Sequence, residues 1–365
     1  MKHFFSFIAF ILFTTHIFSQ SGYYTIEGKV IDKNTRAPLQ GASVFAQNTT
    51  FGIATDAAGN FKLKLPNGGY ELIVTFTGYE TEAIRISNAT ADDKSLLIEI
   101  KEKEKFLAEV SVVASNEVKD GWQKYGSFFT DNFIGKSEFS QQATIKNPEV
   151  LKFYFSKKRN RLKVLSAEPL VVENLALGYS IKFAIDSFTY EYNDNAAQFI
   201  GYPLFEEMHG TPEKENVWQQ NRSKAYNGSL LHFMRSLYNK KLAEEGFQVQ
   251  FLVKYNDNEN AIKVKNVYAA FNYDMDDSTG IVEFQPNQPN LVVIYLKQKP
   301  EAAYLNFDPK AKKDFQVSRL LMQEGEPINI EQNGYYFDQA DLTTEGYWGF
   351  KKVGDMLPYD YKPEL

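Results

Sequence analysis

The sequence contains no cysteine. A disulfide is therefore excluded, as is lipid attachment through an N-terminal cysteine, and zinc loses its commonest structural ligand. Histidine is scarce, with four in the chain. Two of them, His3 and His16, lie in a leading stretch expected to be removed, which leaves His209 and His232. Metal catalysis draws on several convergent His, Cys or carboxylate ligands, and no His-Glu-x-x-His motif occurs. Neither a metal nor another cofactor is expected. The Gly-x-Ser-x-Gly elbow of hydrolases is missing, as are glycine loops that cradle phosphate. An excess of basic residues is also lacking: the net charge is -6, which argues against nucleic acid as a partner. Past the first twenty or so residues, no run is long and apolar enough for a transmembrane helix.

What is present begins with Met1-Lys2-His3, the apolar run Phe4 to Phe13, and Ile17-Phe18-Ser19. A basic start, a short apolar core and a small residue make a secretory signal peptide over residues 1–19, with cleavage expected after Ser19 to leave Gln20. The apolar core is shorter than the ~20 residues that a retained membrane anchor needs. The 365 residues are 43% hydrophobic and 24% charged, which gives room for two globular domains. Phe and Tyr are abundant, 30 and 22, as suits pleated surfaces.

Residues 25–79 carry the plainest pattern. Ile26, Gly28 and Val30 alternate with Glu27 and Lys29. Phe61, Leu63 and Leu65 alternate with Lys62 and Lys64, and Tyr70, Leu72, Val74 and Phe76 keep the same period. Lys33-Asn34-Thr35, Asp56-Ala57-Ala58-Gly59-Asn60 and Pro66-Asn67-Gly68-Gly69 punctuate these runs with turn residues. Glu82–Ile86 and Leu96–Ile100 add two more. About seven short strands with turn signals every 8–12 residues predict a seven-stranded antiparallel β-sandwich over residues 20–100.

Gly28-Lys29-Val30, the run Pro38 to Val44, Thr55-Asp56 with Gly59-Asn60-Phe61, and Gly78-Tyr79 resemble the carboxypeptidase-regulatory-like domain. This is a transthyretin-like sandwich frequent in exported proteins of Bacteroidetes-type bacteria. The resemblance covers about a quarter of the chain. It implies a fold and no peptidase activity, because the domain is the accessory half of those enzymes. The charge run Lys101-Glu102-Lys103-Glu104-Lys105 and the stretch Phe106 to Ala114 form a linker over residues 101–119. It looks like the segment joining this module to the plug of TonB-dependent receptors. The remaining ~250 residues are too few for the 22-stranded barrel and plug of those receptors.

Residues 120–365 are predicted to form an α+β domain of unknown function, with a mostly antiparallel sheet and a helical hairpin, so that the chain as a whole is mainly β. Extended runs are expected over 162–172, interrupted at Pro169, and over 179–192, 247–254, 261–271, 280–284, 291–297, 317–322 and 328–330. Residues 345–348 and 357–359 form an aromatic tail. Pro212 to Gly246 is the one long helical stretch in this reading. It is divided by Asn227-Gly228-Ser229, with Ser229 near the start of the second helix and Gly246 as its stop. The layout resembles uncharacterised exported proteins of Bacteroidetes-type bacteria, which share a segment like Trp218…Arg222…Tyr226-Asn227-Gly228-Ser229…His232-Phe233.

The sharpest polar cluster is Trp218, Arg222, Tyr226, Ser229 and His232, with Arg235 beside it. Ser229 and His232 are one helical turn apart. As chemistry they would need an acid and an oxyanion pocket from elsewhere. As structure, Ser229 caps a helix and Arg222 ties it to the sheet; a Trp–Arg–Tyr set also suits a sugar or a peptide. Asp274 to Gly280 is closer to a hairpin turn than to a calcium loop, since the sixth position lacks Gly and Gln285 stands where a bidentate Glu belongs. Glu206 and Glu207 are adjacent on one strand and point to opposite faces. The composite reading is an exported, non-enzymatic protein of the periplasm, outer membrane or cell surface, with a binding or assembly role toward an envelope protein or a glycan. The alternatives are an envelope hydrolase at Ser229/His232 and a small outer-membrane barrel related to TonB-dependent receptors.

Overall fold

A computed structural model describes residues 22–87, 95–103, 116–166, 168–255, 258–337 and 342–363. The expected signal peptide (1–19), residues 104–115 of the expected linker and residues 256–257 lie outside the described residues.

The N-terminal region holds seven strands, divided between two sheets, and Gly52–Ala54 is the one that no local pattern marked. β1 (Tyr23–Asp32) lies between β4 (Asn60–Pro66) and β7 (Leu96–Ile100). The other sheet runs in the order β3 (Gly52–Ala54), β2 (Ser43–Ala46), β5 (Gly69–Thr75), β6 (Glu82–Ser87). The antiparallel expectation is corrected at one place: β7 returns parallel to β1, with Val30 opposite Ile98. A parallel neighbour needs a long crossover, and the whole of β2 to β6 serves as that connection. Val30, Val44, Leu65, Leu72 and Val74 are fully buried between the sheets. Each such side chain contributes about 1.5–3 kcal/mol relative to exposure.

β5 is buried on both of its faces. Tyr70, Leu72 and Val74 look into the sandwich, whereas Ile73 looks outward with Phe45 onto Leu204. A continuous apolar run is what a doubly covered strand requires. The sandwich is therefore seated on the rest of the chain. The Asn48 amide donates to Pro203 O (2.7 Å) and the Phe205 amide donates to Thr49 O (2.9 Å).

Downstream, the described strands form three further sheets, and every strand pairing within them is antiparallel. The six-stranded sheet is built on the long pair β12 (Tyr179–Glu191) and β13 (Ala196–Glu207). β11 (Leu170–Asn174) pairs with the first part of β12, and β10 (Arg161–Ser166) with its end. β8 (Ala143–Ile145) and β9 (Leu151–Ser156) flank these two.

Across this sheet lies α1 (Gly121–Phe133). It corrects the expectation that residues 212–246 hold the one long helix. Its aromatic sequence, with two glycines, has weak helix propensity. The apolar side chains Trp122, Tyr125, Phe129 and Phe133 nonetheless fall at helical spacing, and Phe129 and Phe133 are fully buried against Phe188 and Phe183.

The long helical stretch divides where expected. α2 spans Pro212–Tyr226 and α3 spans Leu230–Tyr238, and the two serve different cores. α3 ends eight residues before Gly246, at Asn239 and the left-handed Lys240. It packs on the five-stranded sheet β15 (Asn258–Lys263), β14 (Phe247–Tyr255), β18 (Asn290–Tyr295), β19 (Gln316–Met322), β21 (Leu342–Gly346). A three-stranded sheet of β16 (Asp274–Asp276), β17 (Ile281–Phe284) and β20 (Ile328–Ile330) completes that body. Residues 267–270, expected to be extended, form the short helix α4 (Val267–Ala270), capped by the Asn266 side chain. Two other short helices follow, α5 (Ala302–Phe307) and α6 (Tyr347–Phe350). The tail after α6 crosses back over all three bodies. The Gly354 amide donates to Ile134 O, the Tyr359 amide to Asn48 O (2.6 Å), and Arg235 donates to the carbonyls of Tyr359 and Tyr361 (2.9 Å each).

Candidate functional site

The predicted cluster is divided between two structural tasks. On one face of α2, three side chains satisfy four successive carbonyls of the turn after β11. Trp218 Nε1 donates to Leu175 O (2.9 Å) and Asn221 Nδ2 to Ala176 O (2.8 Å). Arg222 donates to Leu177 O (2.7 Å) and Gly178 O (3.0 Å). Buried carbonyls need partners, and the 218/221/222 spacing is one helix face. The Arg222 guanidinium also lies 3.9 Å above the Tyr179 ring and 3.3 Å from Glu207. Gly178 adopts φ +67, and a Cβ there would come within 2.3 Å of the Trp218 ring.

Ser229 and His232 adjoin without forming a nucleophile–base pair. Ser229 Oγ accepts from the backbone amide of His232 (3.1 Å) and so caps α3. The His232 ring is committed at both nitrogens. Nδ1 accepts from the Gly228 amide (3.1 Å), so the proton resides on Nε2, which donates to Glu245 (3.3 Å). Burial pulls the His232 imidazole below its ordinary value, with Glu245 opposing the shift. Tyr226 covers the ring at 4.7 Å.

The other polar motifs are likewise engaged. Asp276 accepts from Ser278 and Thr279 in the β16–β17 hairpin, which draws its carboxyl down to about 2. Glu206 and Glu207 diverge, Glu206 to Lys182 and Glu207 to Arg222. Among the described residues no group of three or more His, Asp or Glu side chains is placed to hold a metal ion.

A concavity lies at the C-terminal end of α2, where the bodies meet. It has a volume of about 610 Å³. The sandwich contributes Asn48; the six-stranded body contributes Glu138, Phe139, Phe199 and Lys224; the five-stranded body contributes Leu230, Tyr336, Tyr347 and Trp348; the tail closes it with Met356, Leu357 and Tyr359. Ser229 also reaches its wall, whereas Trp218, Arg222, Tyr226 and His232 do not. Trp348 is held by its Nε1 donating to Gly228 O (2.7 Å), so the residue that bends the chain between α2 and α3 also fixes an aromatic wall. Gly228 adopts φ +78 there, and a Cβ would strike Tyr295 at 2.5 Å.

Charge in this cavity is mostly paired. Lys351 bonds to Glu301 and to Asp355 (3.0 Å), and Lys224 to Glu138. Burial works against the Lys351 charge, but Asp355, Tyr347 and Glu301 outweigh it and raise the ammonium above its usual value. Three polar groups differ. Asn48 is 6% exposed, and its Oδ1 receives no hydrogen bond. Lys299 and Lys352 line the same cavity and form no ion pair among the described residues, and burial pulls Lys352 below its ordinary value. Sequence reading did not single out these residues. The aromatic tail was visible, and Lys351-Lys352 set between Phe350 and Asp355 was the available signal. Nothing local marks Asn48, which acquires its place through the docking of the sandwich.

Residues 26–112 match the CarboxypepD_reg-like domain family. No curated protein matches the chain. Similar solved structures include 3-chlorocatechol 1,2-dioxygenase from Rhodococcus opacus 1CP, at 13% identity and TM-score 0.18. There the match covers 22% of this chain and 60% of the dioxygenase. A DUF3823 family protein from Bacteroides ovatus ATCC 8483 matches at 11% identity and TM-score 0.18, over 52% of this chain and 83% of its own. Another from Parabacteroides merdae ATCC 43184 matches at 9% and 0.18, over 54% and 86%.

Proposed function

We propose that this chain is an exported, non-catalytic binding protein of the cell envelope, and that its ligand occupies the cavity where the three bodies meet. The leading segment 1–19 and the accessory character of the domain matched over residues 26–112 support export and a role without catalysis. The observation that carries the reading is the wall of the cavity. Sandwich, both sheet bodies and tail each supply side chains to one apolar space of about 610 Å³. Ligand pockets of roughly 300–1,000 Å³, mostly apolar with a few placed polar groups, sit preferentially at such junctions. The catalytic use of Ser229 and His232 would require Oγ to face a free ring nitrogen, and both are otherwise bonded. A barrel would need one closed ring, whereas the described strands form five sheets of three to six strands. No described helix is long and apolar enough to cross a membrane.

Titration with a neutral polarity-sensitive dye such as Nile red tests the binding role. The mature chain should brighten it with one-site saturation. Thr344→Trp, which fills the cavity from β21, should abolish that signal without loss of fold by circular dichroism. Equal dye binding by both proteins, or none by either, would overturn the reading.

A further inference from the structure

The geometry points to a covalent modification that the chain makes on itself: an amide between the Lys351 side chain and the Asp355 carboxyl, formed with Glu301 as the base. The link does not depend on what the cavity binds. Lys351 Nζ lies 3.0 Å from Asp355 Oδ1 and in direct contact with Glu301 Oε1. Both carboxylate side chains are 6% exposed. The rings of Tyr347, Phe139 and Phe350 stand around the nitrogen at 5.0, 5.9 and 6.0 Å. Three ionisable groups in an aromatic enclosure carry a desolvation cost that an uncharged amide does not.

Each reacting group is held in place. The 3₁₀ turn Val353–Asp355 carries the Asp355 carboxyl back to Lys351. Gly354 lets that turn sit against Ser140, where a Cβ would fall 2.5 Å from Oγ. Asp355 Oδ2 accepts from Ser140 Oγ (3.3 Å) and from the Lys352 amide (3.4 Å). Two donors thus face the oxygen on which negative charge develops when an amine adds to Cγ. Glu301, just before α5, is anchored by Oε2 accepting from the Glu138 amide (2.8 Å), which leaves Oε1 on Nζ. Fixing amine and carboxyl side by side supplies the proximity that a bimolecular condensation lacks.

The step balances without an oxidant or a reductant. Burial drives the Asp355 carboxyl above its ordinary value, toward the acid form that an amine can attack. The Lys351 ammonium is raised as well, so it attacks only after Glu301 takes one of its protons. The Nζ–Cγ bond then forms, the nitrogen gives up a second proton, and the Cγ–OH bond breaks. The hydroxyl takes that proton and departs as water. Ammonium, carboxylic acid and carboxylate become amide, water and protonated Glu301.

Tandem mass spectrometry of the folded, mature full chain tests the link after digestion with a Glu-specific protease. Cleavage after Glu345 and Glu364 gives a peptide, residues 346–364, that holds both Lys351 and Asp355. In the wild type it should be one water lighter than its sequence requires, with no backbone fragments from between residues 351 and 355. Lys351→Arg, which keeps the charge without the amine, and Glu301→Gln, which removes the base, should both give the full mass. Full mass in the folded wild type would overturn the proposal, whether or not either variant folds. Water loss that persists in Lys351→Arg would also overturn it, since it would then arise at another group. A bond from Lys351 to Glu301 would overturn the assignment of the carboxyl, and would show as this peptide joined to the one that contains residue 301.

Discussion

Arg85 and Glu331 join the sandwich to the five-stranded body, and removing one of them tests how firmly the two are fixed. Arg85 lies on β6; Glu331 directly follows β20 and is 4% exposed. The two form an ion pair, and the guanidinium lies over Phe337 at 4.3 Å and Tyr335 at 5.0 Å. The Gly69 amide supplies a second hydrogen bond to Glu331. Arg85→Ala leaves a buried carboxylate with that amide and little else. Breaking a buried pair costs about 3–5 kcal/mol, and the part-exposed side of Arg85 places this case near 3 kcal/mol. Replacing both residues, as Arg85→Met with Glu331→Leu, should return stability to within about 1 kcal/mol of the wild type, because no buried charge is then stranded.

The pH dependence carries a definite sign. Burial raises the Glu331 carboxyl above its ordinary value, with Arg85 opposing, so loss of Arg85 raises it further. A group with a raised folded-state value takes up a proton on folding. Its deprotonation therefore weakens the fold as pH rises through that value. The penalty of Arg85→Ala should be larger at pH 8 than at pH 5. Urea unfolding followed by tryptophan fluorescence measures both effects. Gly69→Ala is an independent check, since its Cβ would fall 1.9 Å from Arg85 Nη2 and 2.1 Å from Glu331 Oε1. A cost for Arg85→Ala below about 1 kcal/mol at pH 8 would refute the reasoning, because it would mean the pair is wet and the junction loose.

Three further outcomes are expected. Arg222→Lys should destabilise by about 2–4 kcal/mol in urea unfolding, since one ammonium cannot serve both Leu177 O and Gly178 O and stack on Tyr179. His232 has a lowered folded-state value, so its contribution is present above the unfolded value near 6.5 and is lost as pH falls below it. The wild type should lose more stability between pH 7.5 and pH 5.5 than His232→Gln does, as measured by the difference in urea midpoints. Intact-mass analysis of the protein recovered from a cell-envelope fraction should show a chain beginning at Gln20; retention of residues 1–19 would contradict export with cleavage.

The sandwich was legible because its strands alternate cleanly and its turns carry Asn, Asp and Gly. Lys62 and Lys64 face out while Phe61, Leu63 and Leu65 face in, as local period dictates. The parallel return of β7 was not legible, since strand direction depends on a crossover that leaves no periodic trace. α1 was missed because Trp, Tyr and Phe supply its apolar face, and those residues favour strands when read one at a time. Ser229 as a helix cap was visible from its place before an apolar helical run. The cavity was not, because its wall is assembled from Asn48, Lys224, Trp348 and Leu357, which are far apart in sequence and brought together by the docking of separate cores. The aromatic tail advertised burial without saying against what.

The most direct measurement is a crystal structure of the mature chain soaked with Nile red. The account predicts the dye inside the cavity, beside Trp348 and Leu357. An empty cavity at saturating ligand, or a ligand bound outside it, would contradict the account.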